Sequence, residues 1–199
     1  MNRLLLMFTT VILLVNVAHN SENNSPIPQL NHGKRIYVDP NGKTFIAQEL
    51  PIYLHFSTTP QTTEHTILND VNATALPMFL SEGPNTIRNP NAMGNGSQTY
   101  IIYADATAPR SNVSFTGAKR YTNNTGIIYG RGLSFDIPSN DDLSGVFETY
   151  ISHNGNIYKP FEQGLLDFSQ NSEFILEYYS VDNVGNVEYA KKTRFFVDA

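Results

Sequence analysis

From Lys34 onward, apolar and polar side chains alternate in short segments. Ile52, Leu54 and Phe56 interleave with Tyr53, His55 and Ser57, and Leu133, Phe135 and Ile137 with Ser134, Asp136 and Pro138. A period of two sends one row into a core and the other toward water, which predicts strands. The same periodicity predicts strands over 100–104, 147–152, 174–181 and 193–197. Turn chemistry separates these segments, at Asp39-Pro40-Asn41-Gly42, Glu82-Gly83-Pro84, Asn154-Gly155 and Val184-Gly185-Asn186. Helical periodicity is nearly absent, so the chain is expected to be all-β, an antiparallel sandwich of short strands.

The pattern also repeats. Gly33-Lys34-Arg35-Ile36-Tyr37 is echoed by Gly117-Ala118-Lys119-Arg120-Tyr121, and Ile52-Tyr53-Leu54-His55-Phe56 by Leu133-Ser134-Phe135-Asp136-Ile137. Ile102-Tyr103-Ala104-Asp105-Ala106 is echoed by Phe195-Phe196-Val197-Asp198-Ala199. Kept order at offsets of roughly 81 to 93 residues is the mark of a duplicated domain. Two domains are therefore expected, over 30–106 and 107–199, joined at Thr107-Ala108-Pro109. Most of the 12 Phe and 11 Tyr lie after Ala106, so the second domain should have the fuller core.

The amino terminus departs from this pattern. Arg3 precedes Leu4 to Phe8 and Val11 to Val15, an apolar run that ends at Val17-Ala18. It is too short for a bilayer span and is laid out as a cleaved secretory signal over 1–18, followed by a polar leader over 19–29. Membrane contact is expected only through the uncleaved signal, and the mature chain is expected to be periplasmic, cell-surface or secreted. Cys is absent from the 199 residues, which excludes disulfide staples, thiolate metal sites, Cys nucleophiles and a lipid-modified Cys. A net charge of −5 provides no basic footprint for nucleic acid.

The densest motif is Tyr178 to Glu188, YYSVDNVGNVE. A strand should enter a turn here, with Gly185 taking a positive φ and the Asp182 carboxylate accepting amides up to Asn186. This structural use of Asp182, Gly185 and Asn186 is the preferred one. The alternative is Ca²⁺ bound by Asp182 with Asp141 or Asp142 through hard oxygen ligands; no other cofactor is expected. His32, His55, His65 and His153 have no metal-ligand spacing, and Gly130-Arg131-Gly132 reads as a turn before a strand rather than a nucleotide loop. Serine-elbow, zincin and phosphate-loop motifs are missing, so an enzyme is not expected. Asn-x-Ser/Thr sequons occur at Asn72, Asn95, Asn112 and Asn123. Tyr179 is expected to fill the sandwich edge, with a sugar-stacking platform as the rival use.

Asp141-Asp142-Leu143-Ser144-Gly145-Val146, Thr149 to Gly155, Tyr158 to Phe161, Tyr178 to Glu188 and Phe195 to Asp198 together resemble the bacterial immunoglobulin-like repeats of outer-membrane and secreted proteins, including the leptospiral outer-membrane type. Residues 107–199 carry the whole pattern. The first domain keeps Glu82 to Ile87 and Asp105-Ala106-Thr107-Ala108-Pro109 but has no Asp-x-x-Gly-Asn turn and no Ser-Gly-Val. The resemblance implies two tandem immunoglobulin-like sandwiches and a non-catalytic structural or adhesive module of the cell envelope. Its partner would be a protein or glycan surface, and further repeats would follow Ala199. The alternative is a carbohydrate- or ligand-binding accessory module of a larger extracellular enzyme.

Overall fold

The computed structural model describes residues 11–14, 35–56, 79–90 and 97–199. His32, His65, Asn72, Asn95 and the leader over 19–29 lie outside the described residues. Within the described residues the chain is all-β, and no helix is long and apolar enough to cross a membrane.

The amino-terminal part contains β1 (Val11–Leu14), β2 (Ile36–Val38), β3 (Thr44–Ala47), β4 (Tyr53–Phe56), β5 (Gly83–Pro90) and β6 (Ser97–Asp105). After the joint come β7 (Arg110–Ser111), β8 (Ser114–Thr116), β9 (Arg120–Asn123), β10 (Gly126–Tyr129), β11 (Ser134–Asp136) and β12 (Ser139–Asn140). The remaining strands are β13 (Val146–His153), β14 (Lys159–Pro160), β15 (Ser172–Asp182) and β16 (Lys191–Val197). Each strand predicted from alternation is present within a few residues of its expected ends. The apolar run at the amino terminus contributes β1, which pairs antiparallel with β4.

Both parts share one topology. The first sheet runs β2-β3-β6-β5, and the same succession recurs as β9-β10-β16-β15, extended by β13 and β14. In each sheet a hairpin is followed by a parallel pairing with the last strand, Phe45 opposite Tyr103 in one and Tyr129 opposite Val197 in the other. The expectation of wholly antiparallel sheets is corrected at these two pairs. Parallel neighbours need a long crossover, and here the body of each unit provides it.

The six-stranded sheet faces the β8–β11 pair across a core, giving two layers as in a sandwich. Phe115, Tyr129, Phe174 and Phe195 meet in that core with ring centroids 4.8–5.7 Å apart. Each such buried ring contributes roughly 1.5–3 kcal/mol by area. The first sheet relies on Ile46, Ile52, Ile87, Ile102 and Ala104, an aliphatic core. The carboxy-terminal part thus has the aromatic-rich core that its composition predicts.

Both faces of β3 are covered. Ile46 faces the aliphatic core, while Phe45 and Ala47 point the other way and, with Leu50, enclose Val184 from beyond the joint. Val184 is fully buried there. The Asp182–Asn186 turn is therefore a plug seated on the first sheet.

Candidate functional site

Beside the plug, three strand ends bring carboxylates together. Asp105 closes β6, Asp141 follows β12 and Asp182 closes β15, and one oxygen from each lies within 4.8 Å of the others. Asp105 and Asp182 are buried and Asp141 is half-buried.

Local turn chemistry orients each acid. Asp182 Oδ1 accepts the amides of Val184 at 2.9 Å and Asn186 at 2.8 Å, and Gly185 takes φ 94°, the positive value predicted for it. Asp141 Oδ1 accepts the amides of Leu143 at 3.1 Å and Gly145 at 2.8 Å. Asp105 accepts the Thr107 amide at 3.1 Å on one oxygen and the Ser144 amide at 3.0 Å on the other. The turns are also laced to one another. Asn183 Nδ2 donates to the carbonyls of Ser144 and Gly145, and Asn186 Nδ2 donates to Asp182 Oδ2 at 2.7 Å and to the Asp105 carbonyl at 3.2 Å. That last bond crosses the joint.

Two of the three residues proposed for calcium, Asp141 and Asp182, are in this group. Asp142 is not; it is exposed and accepts from Asn140 Nδ2 at 3.0 Å. Asp141 is turned inward by its hydrogen bonds with the Leu143 and Gly145 amides, while Asp142 beside it in the bend faces solvent. Asp105 takes the third place, and alternation gave no hint of it. Asp198, its counterpart in the repeat, is exposed.

Burial pushes the Asp182 carboxyl up to about 6, reinforced by the Asp105 charge and opposed by the hydrogen bonds from Asn186 and Val184. Burial also raises Asp141. An acid whose folded pKa lies above its unfolded one stabilises the fold below the unfolded pKa and loses that contribution as pH rises through the folded value. In chelator-treated buffer, the unfolding free energy of the wild type relative to Asp182→Asn should fall between about pH 4 and pH 6, by on the order of 2 kcal/mol. Urea denaturation of both proteins across that range measures it. A difference independent of pH would show that folding leaves the Asp182 carboxyl at its ordinary pKa.

The other candidates have structural partners. His153 Nε2 lies 3.1 Å from Asn156 Nδ2, beside an open hollow of about 470 Å³ lined by Ile151, Ile157, Lys159 and Leu165. Gly130-Arg131-Gly132 is a turn ahead of β11. Tyr179 is fully buried; Tyr150 stacks on it at 5.3 Å and Tyr158 meets it edge-on at 5.1 Å. It cannot present a face to a sugar.

Sequence reasoning also missed Glu188, the last residue of the YYSVDNVGNVE motif. Its buried carboxylate accepts from the Ser111 amide at 3.0 Å, the Ser111 hydroxyl, the Ser180 amide at 3.3 Å and Lys191 Nζ. Lys191 Nζ also reaches the Ser111 carbonyl. The motif thus anchors the strand that follows the joint.

No protein-family model and no curated protein matches this sequence.

Proposed function

We propose that the chain is a non-catalytic exported module, structural or adhesive, made of two tandem immunoglobulin-like sandwiches over 30–106 and 107–199. The apolar segment over 1–18 is its secretory signal, and a protein or glycan surface is the partner class. Tyr179 is buried and offers the carbohydrate-binding alternative no stacking face.

One observation carries this proposal: Val184, fully buried, sits in a socket of Phe45, Ala47 and Leu50 from the other sheet. A seated plug, fastened by the Asn186 to Asp105 hydrogen bond, fixes the direction of one unit relative to the next. A short linker with Pro109 then acts as a rigid spacer rather than a tether.

Val184→Asp places a charge in that socket, which it can accept only by opening. Nitrogen-15 relaxation on the whole chain is expected to give one rotational correlation time for the wild type and two shorter ones for Val184→Asp, with the strand signals of both units retained. Two independent correlation times in the wild type would overturn the spacer function.

A further inference from the structure

The acidic group at the joint lacks a counter-charge. Each ion pair among the described residues uses a glutamate, at Glu49, Glu173, Glu177 or Glu188. Asp105, Asp141 and Asp182 have amide donors only, although Asp105 and Asp182 are 0% and 1% exposed. Amides orient a carboxylate without cancelling its charge, and like charges this close persist only with a proton or a cation among them.

A second observation favours the cation. Ser144 is 5% exposed, and its Oγ is sealed from solvent without any hydrogen-bond partner. The backbone holds it at the acids: its amide donates to Asp105 Oδ2, while the amides of Leu143 and Gly145 on either side donate to Asp141 Oδ1. Covalent geometry keeps Oγ within about 4 Å of its own amide nitrogen, which itself stands 3.0 Å from Asp105 Oδ2. A sealed hydroxyl with no partner, on a residue whose backbone is held by these acids, is a spare neutral oxygen. Asp141 also has a spare oxygen, since both of its hydrogen bonds fall on Oδ1.

All these donors are oxygen, which suits a hard cation. Ca²⁺ binds oxygens at about 2.3–2.6 Å in flexible geometry, so ligands on opposite sides of it stand up to about 5 Å apart. Carboxylate oxygens within 4.8 Å of one another fit one such sphere, with water in the remaining positions. We propose that Asp105, Asp141 and Asp182, with Ser144 Oγ beside them, form a Ca²⁺ site at the joint. Its ligands come from both sides of Pro109, so the bound ion would clamp the two sheets. The site is independent of the spacer function, because binding is read as heat and melting temperature rather than as shape.

The test is calorimetric titration of CaCl₂ into the whole chelator-treated chain, with thermal unfolding followed in parallel. One Ca²⁺ per chain is expected, with a Kd of about 0.1–1 mM as in extracellular modules, and a Tm that rises with Ca²⁺. Asp141→Asn keeps the acceptor for Leu143 and Gly145 but removes the charge, and should weaken binding at least about tenfold. Asp142→Asn should leave it unchanged. If circular dichroism shows that Asp141→Asn does not fold, Ser144→Ala takes its place, with a loss of about threefold expected from one neutral ligand. Absence of heat and of a Tm shift at about 10 mM Ca²⁺ would overturn the site. So would equal loss in Asp142→Asn, or wild-type affinity in the folded variant that is read.

Discussion

Replacing Phe195 by Ala is expected to remove roughly 3–5 kcal/mol from the carboxy-terminal sandwich. Phe195 is 1% exposed and stands opposite Phe174 on the neighbouring strand, its ring stacked on Phe174 at 5.5 Å. Phe115 and Phe168 add further contacts at 4.8 and 6.0 Å. Truncation loses the transfer free energy of the ring and leaves a cavity that two packed layers cannot collapse to fill. A unit of this size has about 5–10 kcal/mol in total, so the loss consumes much of it. Phe196 is the internal control. It projects from the other face of β16, half-buried, with the Arg194 guanidinium over its ring at 5.5 Å, and Phe196→Ala should cost only about 1 kcal/mol. The chain has no Trp, so Tyr fluorescence in a urea titration reports both variants. Equal losses for Phe195→Ala and Phe196→Ala would mean that β16 is not oriented as described.

Alternation revealed strands wherever a sheet has one dry face. Leu133, Phe135 and Ile137 are buried and Ser134 and Asp136 are exposed, as their parity requires. Parity fails at the carboxy-terminal end of β15, where Tyr178, Tyr179, Ser180, Val181 and Asp182 are all buried. There the strand enters the joint, and both of its faces are covered. A period of two cannot register a second covering layer, which is why Tyr179 read as a possible platform.

Turn chemistry was legible because it is local. Asp182, Gly185 and Asn186 act within four residues of one another, and so do Asp39 and Lys43, where Asp39 Oδ1 accepts the Lys43 amide at 2.8 Å. Asp105 was not legible, because it meets Asp182 and Asn186 only through the docking of two sheets. Its bond with Asn186 spans 81 residues. The sequence does carry one signal of that docking: Val184 is an apolar residue at the tip of a polar turn, and such a residue calls for a cover. The parallel pairings of β3 with β6 and of β10 with β16 left no trace either, since a strand has the same period in both orientations.

Glu188→Ala is expected to cost about 3–5 kcal/mol, although Glu188 lies outside every sheet ladder. The carboxylate satisfies two buried amides, those of Ser111 and Ser180, as well as the Ser111 hydroxyl. Removing it leaves those donors in a dry site with nothing in reach, and each unsatisfied donor costs about 1–3 kcal/mol. Lys191 adds less to the loss, because its side chain is 41% exposed and can turn to water. Glu188→Gln separates charge from shape. One amide oxygen still accepts, while the amide nitrogen opposes either Lys191 or the Ser111 groups, so a loss of about 1–2 kcal/mol is expected. The effect should also be directional. Ser111 opens the carboxy-terminal sandwich two residues after Pro109, and releasing it frees β7 from β15 before the aromatic core gives way. Native-state hydrogen exchange of the Glu188→Gln protein should therefore show faster exchange at the Ser111, Asn112 and Ser180 amides, with Phe174 and Leu176 as well protected as in the wild type. Uniform acceleration across β15 would show instead that Glu188 supports the whole sandwich, and a loss below about 0.5 kcal/mol in Glu188→Ala would show that water satisfies the amides.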